Sequence, residues 1–263
     1  MNKENKFALL IDADNISPKY IEIIVRETEA YGIASIRRIY GDWTDLSKST
    51  WKSCLLDNSL SPIQQYNYTT GKNSSDSAMI IDAMDILYEN NVDGFIIATS
   101  DSDFTRLAVR LRESGKRVIG MGESKTPSSF VKACEQFKTL DVLYKSDAQS
   151  TKGRLYKKSG EEVDIKTNEE KFVLNKDAEP ITSMDNIKST IITLLEQQSD
   201  DDGWMFMGNL GNMILKRYPD FDCRNYGFVK FGKMIDSFDE LQTKQEKSSN
   251  GMTSLVYVSF KKG

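Results

Sequence analysis

The chain has 263 residues, 39% hydrophobic and 28% charged, a balance that suits folded domains rather than a disordered chain and is long enough for two of them. Its 35 Lys and Arg against 39 Asp and Glu leave a net charge of −4, so no global basic field draws it to polyanions. Histidine is absent, which excludes Ser-His-Asp and Cys-His catalysis and His-ligated zinc, and Cys54, Cys134 and Cys223 are too widely spaced for a CxxC metal pair or a disulfide framework.

The first apolar run, Phe7 to Ile11, reads as a strand buried on both faces and stops at Asp12. It is too short for a secretory h-region, and no stretch approaches about 18 apolar residues, so a cytoplasmic protein with no membrane span is expected. Ser17-Pro18 reads as the start of a helix carrying Tyr20, Ile23, Ile24 and Glu27 and ending near Gly32. A strand over about 35–40, a helix over 46–57 and a strand over 62–68 follow. Ser74 or Ser75 caps a helix over about 76–90, with Met79, Ile80, Ala83 and Leu87 on one stripe. The apolar strand 94–99 leads to a helix over 103–114, a strand over 117–121 and a short helix near 128–134. This alternation means an α/β fold, a mostly parallel sheet with helices on both faces.

Residues 145–180 hold eight basic and eight acidic residues with little apolar content and read as a charged linker. Periodicity resumes at 181–263. Ser183 caps a helix with Ile187, Ile191, Leu194 and Leu195 inward, and helices follow over 207–217 and 227–237. Two strands, around Leu241 and over 254–260, flank a polar turn at 248–251. Three helices and a ribbon make a winged-helix pattern. The expected division is therefore 1–144, a linker at 145–180, and 181–263.

The informative residues are carboxylates at strand ends. Asp12 ends the first strand, Asp101 and Asp103 follow the fourth, and Asp76 opens a helix entering from the same end of the sheet. In an open α/β sheet, ligands bind at that end. Clustered carboxylates repel, and a divalent cation relieves the conflict. Oxygen ligands without His or Cys select hard ions, Mg2+ or Mn2+, suited to phosphodiester hydrolysis. Three aspartates also have a plainer role open to them: Asp103 as a helix cap, Asp14 as an Asx turn, Asp76 against the helix dipole. Asp82 sits roughly 120° around the helix from Asp76, and so lies behind the ligands or in solvent.

Three motifs in order, Asp12-x-x-Asn15, Lys72-x-x-x-Asp76-x-x-x-x-x-Asp82 and Ser100-Asp101-Ser102-Asp103-Phe104, resemble those of the NYN family of PIN-like ribonucleases over about residues 6–144. The resemblance implies a PIN-like Rossmannoid sheet of order 3-2-1-4-5 and a Mg2+ or Mn2+ site of clustered aspartates. It gives Asp12, Asn15, Asp76, Asp101 and Asp103 as catalytic residues. Asp12, Asp76 and Asp101 hold the metal or its waters, Asn15 orients a ligand or phosphate, and Asp103 holds a water or lies in the outer shell. Lys72 and Arg106, beside these motifs, are the favoured phosphate contacts. Arg110, Lys116 and Lys125, and Tyr40 or Trp43 as base-stacking rings, are lesser candidates.

The stretch from Leu210-Gly211 through Pro219-x-Phe221-Asp222-x-Arg224-x-Tyr226-Gly227-Phe228 resembles the OST-HTH (LOTUS) domain over about 181–262, which implies binding to RNA or a protein partner. The aromatics Trp204, Phe221, Tyr226 and Phe228 are expected in its core, and Lys216, Arg217, Arg224, Lys230 and Lys233 form its basic set. Asp200-Asp201-Asp202 reads as a polar loop. The function implied is a metal-dependent endoribonuclease acting on single-stranded or structured RNA. The alternatives are a catalytically weak RNA-binding adaptor, or a haloacid-dehalogenase-like phosphatase with Asp12 of Asp12-Ala13-Asp14 as nucleophile.

Overall fold

The computed structural model describes residues 4–44, 49–65, 74–155, 181–200, 202–247 and 254–261. The chain forms two compact units, residues 1–144 and 145–263.

In the first unit the strands are β1 (Lys6–Asp12), β2 (Ile33–Gly41), β3 (Ser61–Gln64), β4 (Gly94–Ala98), β5 (Arg117–Gly122) and β6 (Gln136–Thr139). The helices are α1 (Ile21–Glu29), α2 (Ser49–Asp57), α3 (Ser74–Glu89), α4 (Thr105–Glu113), α5 (Ser128–Ala133) and α6 (Leu140–Leu155). All strand pairs are parallel and the order is β3-β2-β1-β4-β5-β6. The expected order 3-2-1-4-5 is present, extended at its edge by a sixth strand, β6. Only Phe137 and Thr139 of β6 are buried, a period-2 pattern too short to stand out. Helix α6 runs to Leu155, inside the segment read as linker.

The two most apolar strands, β1 and β4, lie side by side at the centre. Phe7, Leu9 and Ile11 of β1 join Ile21, Ile23 and Ile24 of α1, Trp51 of α2 and Leu140 and Leu143 of α6 in one buried cluster. Alternation along β1 turns Ala8 and Leu10 to the opposite face, where α3 packs on β1 and β2. Gly32, at φ +150°, lets Ile33 N–H donate to the Asn5 carbonyl at 2.9 Å, because a Cβ there would lie 2.3 Å from that oxygen. Ser17 adopts N-cap geometry before a 3-10 turn at Pro18–Tyr20, but its hydroxyl makes no cap bond.

The second unit contains α7 (Met184–Gln198), β7 (Met205–Phe206), α8 (Met207–Arg217), α9 (Phe231–Asp236), β8 (Leu241–Lys247) and β9 (Ser254–Phe260). Its antiparallel sheet has the order β7-β9-β8; the two-residue β7 was not expected. Ile187, Ile191, Leu195, Leu210, Ile214, Met234 and Val258 form its core. Ser183 caps α7, its hydroxyl accepting from Asn186 N–H.

Candidate active site

The carboxyl ends of β1 and β4 bring Asp12 beside Thr99, and the loops beyond them bring the acidic residues of three elements together. Asp12 is the innermost, only 1% exposed. Its Oδ1 accepts from the N–H groups of Asp14 (3.0 Å) and Asn15 (3.3 Å). Its Oδ2 accepts from Asn15 Nδ2 (2.7 Å) and Thr99 Oγ1 (2.8 Å). Four donors fill the lone-pair sites that a carboxylate offers. Burial pushes the Asp12 carboxyl above its usual range, and the hydrogen bonds from Asn15, Thr99 and Asp14 oppose that rise.

The carboxylates that converge are Asp76, Asp101 and Asp103, with oxygens within 4.8 Å of one another. Asp101 caps the 3-10 turn Ser102–Phe104, its Oδ1 accepting from Asp103 N–H at 2.9 Å. The capping and clustering roles of this loop therefore coexist. Asp76 is 7% exposed and accepts no hydrogen bond among the described residues. Burial, then the charges of Asp12, Asp101, Asp103 and Asp14, raise its pKa to about 6. A nearly buried carboxylate surrounded by other carboxylates needs a cation or a proton. An all-oxygen set suits a hard divalent ion and suits softer metals poorly.

The structure thus separates the expected site residues. Asp76 and Asp101 meet as expected. Asp103 joins them, whereas Asp12 lies beside the trio, the foremost of the charges that act on Asp76, with both its oxygens accepting hydrogen bonds. That engagement also suits Asp12 badly to nucleophilic attack as an aspartyl-phosphate former. Asn15 turns its amide inward to Asp12 instead of outward. Lys72 lies outside the described residues, and Arg106 is exposed on the first turn of α4. Two hydroxyls outside the expected site set tie the site together. Thr99 Oγ1 donates to Asp12 and accepts from Asp101 N–H at 3.1 Å, linking β1 to the β4 loop. Ser75 Oγ donates to Asp14 Oδ2 at 2.6 Å, linking α3 to the β1 loop. A buried Thr directly after an apolar strand was the available signal.

Asp82 is half-buried and does not converge with the trio. Arg38 and the Tyr40 hydroxyl both donate to it, joining α3 to β2. Burial, followed by the hydrogen bond to Asp82, raises the Tyr40 pKa, and Tyr40 is too deeply buried to stack on a base. The Trp43 indole donates to the Ile63 carbonyl at 3.0 Å. Lys116 bonds Asn90 and the Val92 carbonyl just ahead of β4, at the far end of the sheet from the carboxylates.

In the second unit the motif residues mostly hold the fold. Buried Asp220 accepts from Thr182 N–H and Oγ1, each at 2.9 Å, Asn225 Nδ2 donates to the Asp220 carbonyl, and the Tyr226 hydroxyl donates to the Thr182 carbonyl. Arg224 is paired with Asp222 at 2.7 Å, leaving Lys216, Arg217, Lys230 and Lys233 exposed. Phe221 and Tyr226 are buried, while Trp204 is half-buried under the Lys244 ammonium, 4.4 Å from the ring centroid.

The NYN domain model matches residues 6–141 and the OST-HTH/LOTUS domain model matches residues 182–253. No curated protein matches the chain. Among solved structures, a protein of unknown function from Vibrio parahaemolyticus is 18% identical, with a TM-score of 0.44, covering 52% of this chain and 93% of its own. An uncharacterized protein from Nitrosomonas europaea is 26% identical, with a TM-score of 0.29, covering 38% of this chain and 94% of its own. Neither likeness bears on function at these scores.

Proposed function

This chain belongs to the NYN domain family, a PIN-like nuclease family, and from that premise we propose that it is a metal-dependent endoribonuclease. We read residues 1–144 as the nuclease domain, 145–180 as a charged linker and 181–263 as a winged helix that recruits RNA or a protein partner. The observation that carries the reading is Asp76. It is nearly buried, without a donor among the described residues, and within 4.8 Å of the carboxylate oxygens of Asp101 and Asp103.

Asp76, Asp101 and Asp103 would hold Mg2+ or Mn2+. When bound, such an ion supplies a water of lowered pKa and neutralises charge on the phosphoryl group. Asp12 braces the trio: through Thr99 it is tied to the Asp101 loop, and through its hold on the Asp14 and Asn15 N–H groups it shapes the loop that receives Ser75 of α3. Asp101, through its cap on Asp103 N–H, keeps its carboxylate aimed at the cluster. Arg106, exposed beside that loop, binds substrate phosphate, and Lys72 is assigned the same role.

With no histidine in the chain, no imidazole pair is present to activate a 2′-hydroxyl. Attack by water leaves 5′-phosphate and 3′-hydroxyl ends. End analysis of the products of a labelled RNA tests this: ligatable 5′-phosphates are expected, and 2′,3′-cyclic phosphates would overturn it.

A further inference from the structure

Beside the carboxylate cluster, one strand over, lies a rim of different chemistry. Glu123 follows β5, and its N–H donates to Ser100 Oγ in the Asp101 loop at 3.0 Å. Adjacent strands are about 5 Å apart, so this rim is the next stop for a chain leaving the cluster across the strand ends. The Glu123 carboxylate accepts from the Tyr20 hydroxyl at 2.9 Å and pairs with Lys125 at 2.8 Å, Lys125 itself being 71% exposed. The exposed Lys19 ammonium makes no salt bridge among the described residues, although its charge helps to hold the Glu123 carboxyl below its usual range. It lies 4.7 Å from the ring centroid of Tyr20 and 5.8 Å from that of Tyr144. Tyr20 is buried and meets Tyr144 edge-on at 5.7 Å, whereas Tyr144 is 42% exposed. The other nearby carboxylate, Asp141, accepts from Ser124 N–H and Oγ. Both acids thus have closer partners than Lys19, which leaves an exposed ammonium beside a partly exposed aromatic ring.

We infer that Lys19 and Tyr144 form a nucleotide-binding subsite for single-stranded RNA, with Tyr144 stacking on a base next to the scissile phosphate and Lys19 contacting the adjoining phosphate. An exposed ring paired with a cation suits single strands, because every base offers a face to stack. A duplex keeps its bases stacked on each other and offers Tyr144 none. The subsite rests on the nuclease reading for its purpose but not for its test.

The test uses the full chain and a 4-thiouridine-containing 12-mer RNA, irradiated in Ca2+. A crosslink to the peptide carrying Tyr144 is expected. It falls at least about fivefold in Tyr144→Ala and in Lys19→Ala, in keeping with the worth of one stacked base, and persists in Tyr144→Phe. Far-UV circular dichroism of each variant guards against misfolding, and Tyr144→Phe keeps the test decisive if Tyr144→Ala unfolds. Crosslinks confined to residues 181–263, or unchanged in the variants, would overturn the subsite. Cleavage in Mn2+ is scored separately: a Tyr144 crosslink without cleavage sinks the nuclease reading alone, and cleavage without the crosslink sinks the subsite alone.

Discussion

Thr99 Oγ1 donates to Asp12 and accepts from Asp101, so one buried hydroxyl joins two acidic loops. Thr99→Val keeps the shape and removes both bonds. A loss of about 1–3 kcal/mol in unfolding free energy is expected, together with reduced cleavage, and urea titration measures the first. Asp76 carries a proton-linked prediction. Its pKa is about 6 in the folded chain against 3.8 for the ordinary carboxyl, so the folded state holds the proton more tightly. That contribution is complete below about pH 4 and is lost as the pH rises through about 6, worth at most about 3 kcal/mol. In EDTA, stability should therefore fall over this range and Asp76→Asn should flatten the fall. Added Mn2+ should raise the melting temperature more at pH 8 than at pH 5, where protons compete. Equal shifts at both pH values would contradict the assignment.

At the scale of elements, the site depends on how α3 and the strand ends are held. The Arg38–Asp82–Tyr40 contact ties α3, and with it Asp76, to β2. Asp82→Ala leaves a guanidinium and a buried phenol without their acceptor. It should cost about 1–3 kcal/mol and lower kcat more than it raises KM, because it moves a ligand rather than the RNA contacts. Gly122 ends β5 where a Cβ would lie 2.5 Å from the Thr99 carbonyl. Gly122→Ala should destabilise by about 1–3 kcal/mol and disturb the Thr99 loop, both readable from thermal melts and single-turnover rates. The sequence made the alternating elements legible because β1 and β4 are unbroken apolar runs with acids at their ends. Strand β6 and the two-residue β7 were not legible, being too short for periodicity to register.

At the scale of the whole molecule, each unit has its own buried core, so the C-terminal unit is expected to supply affinity and the N-terminal unit chemistry. A chain ending at residue 180 should still cut a short oligonucleotide while its affinity for a long RNA falls by roughly tenfold or more. Equal affinity would assign recruitment to the first unit. The acidic site was legible in part. Asp12, Asp76, Asp101 and Asp103 all stand at one end of the sheet, but the sequence could not show that Asp12 spends its oxygens on Asn15, Thr99 and the Asp14 N–H. Which carboxylates share a cation depends on hydrogen bonds between residues as far apart as Asp12 and Thr99.

The most direct test of the nuclease reading is cleavage of an end-labelled single-stranded RNA by the full chain in Mn2+, with EDTA and Asp101→Asn as controls. The variant keeps the size of the side chain and removes the charge that the site requires. Metal-dependent cleavage, abolished by EDTA and lowered at least a hundredfold by Asp101→Asn (on the order of 3 kcal/mol of transition-state stabilisation), is the predicted result. RNA binding without cleavage by the wild-type chain, or cleavage undiminished in the variant, would contradict it.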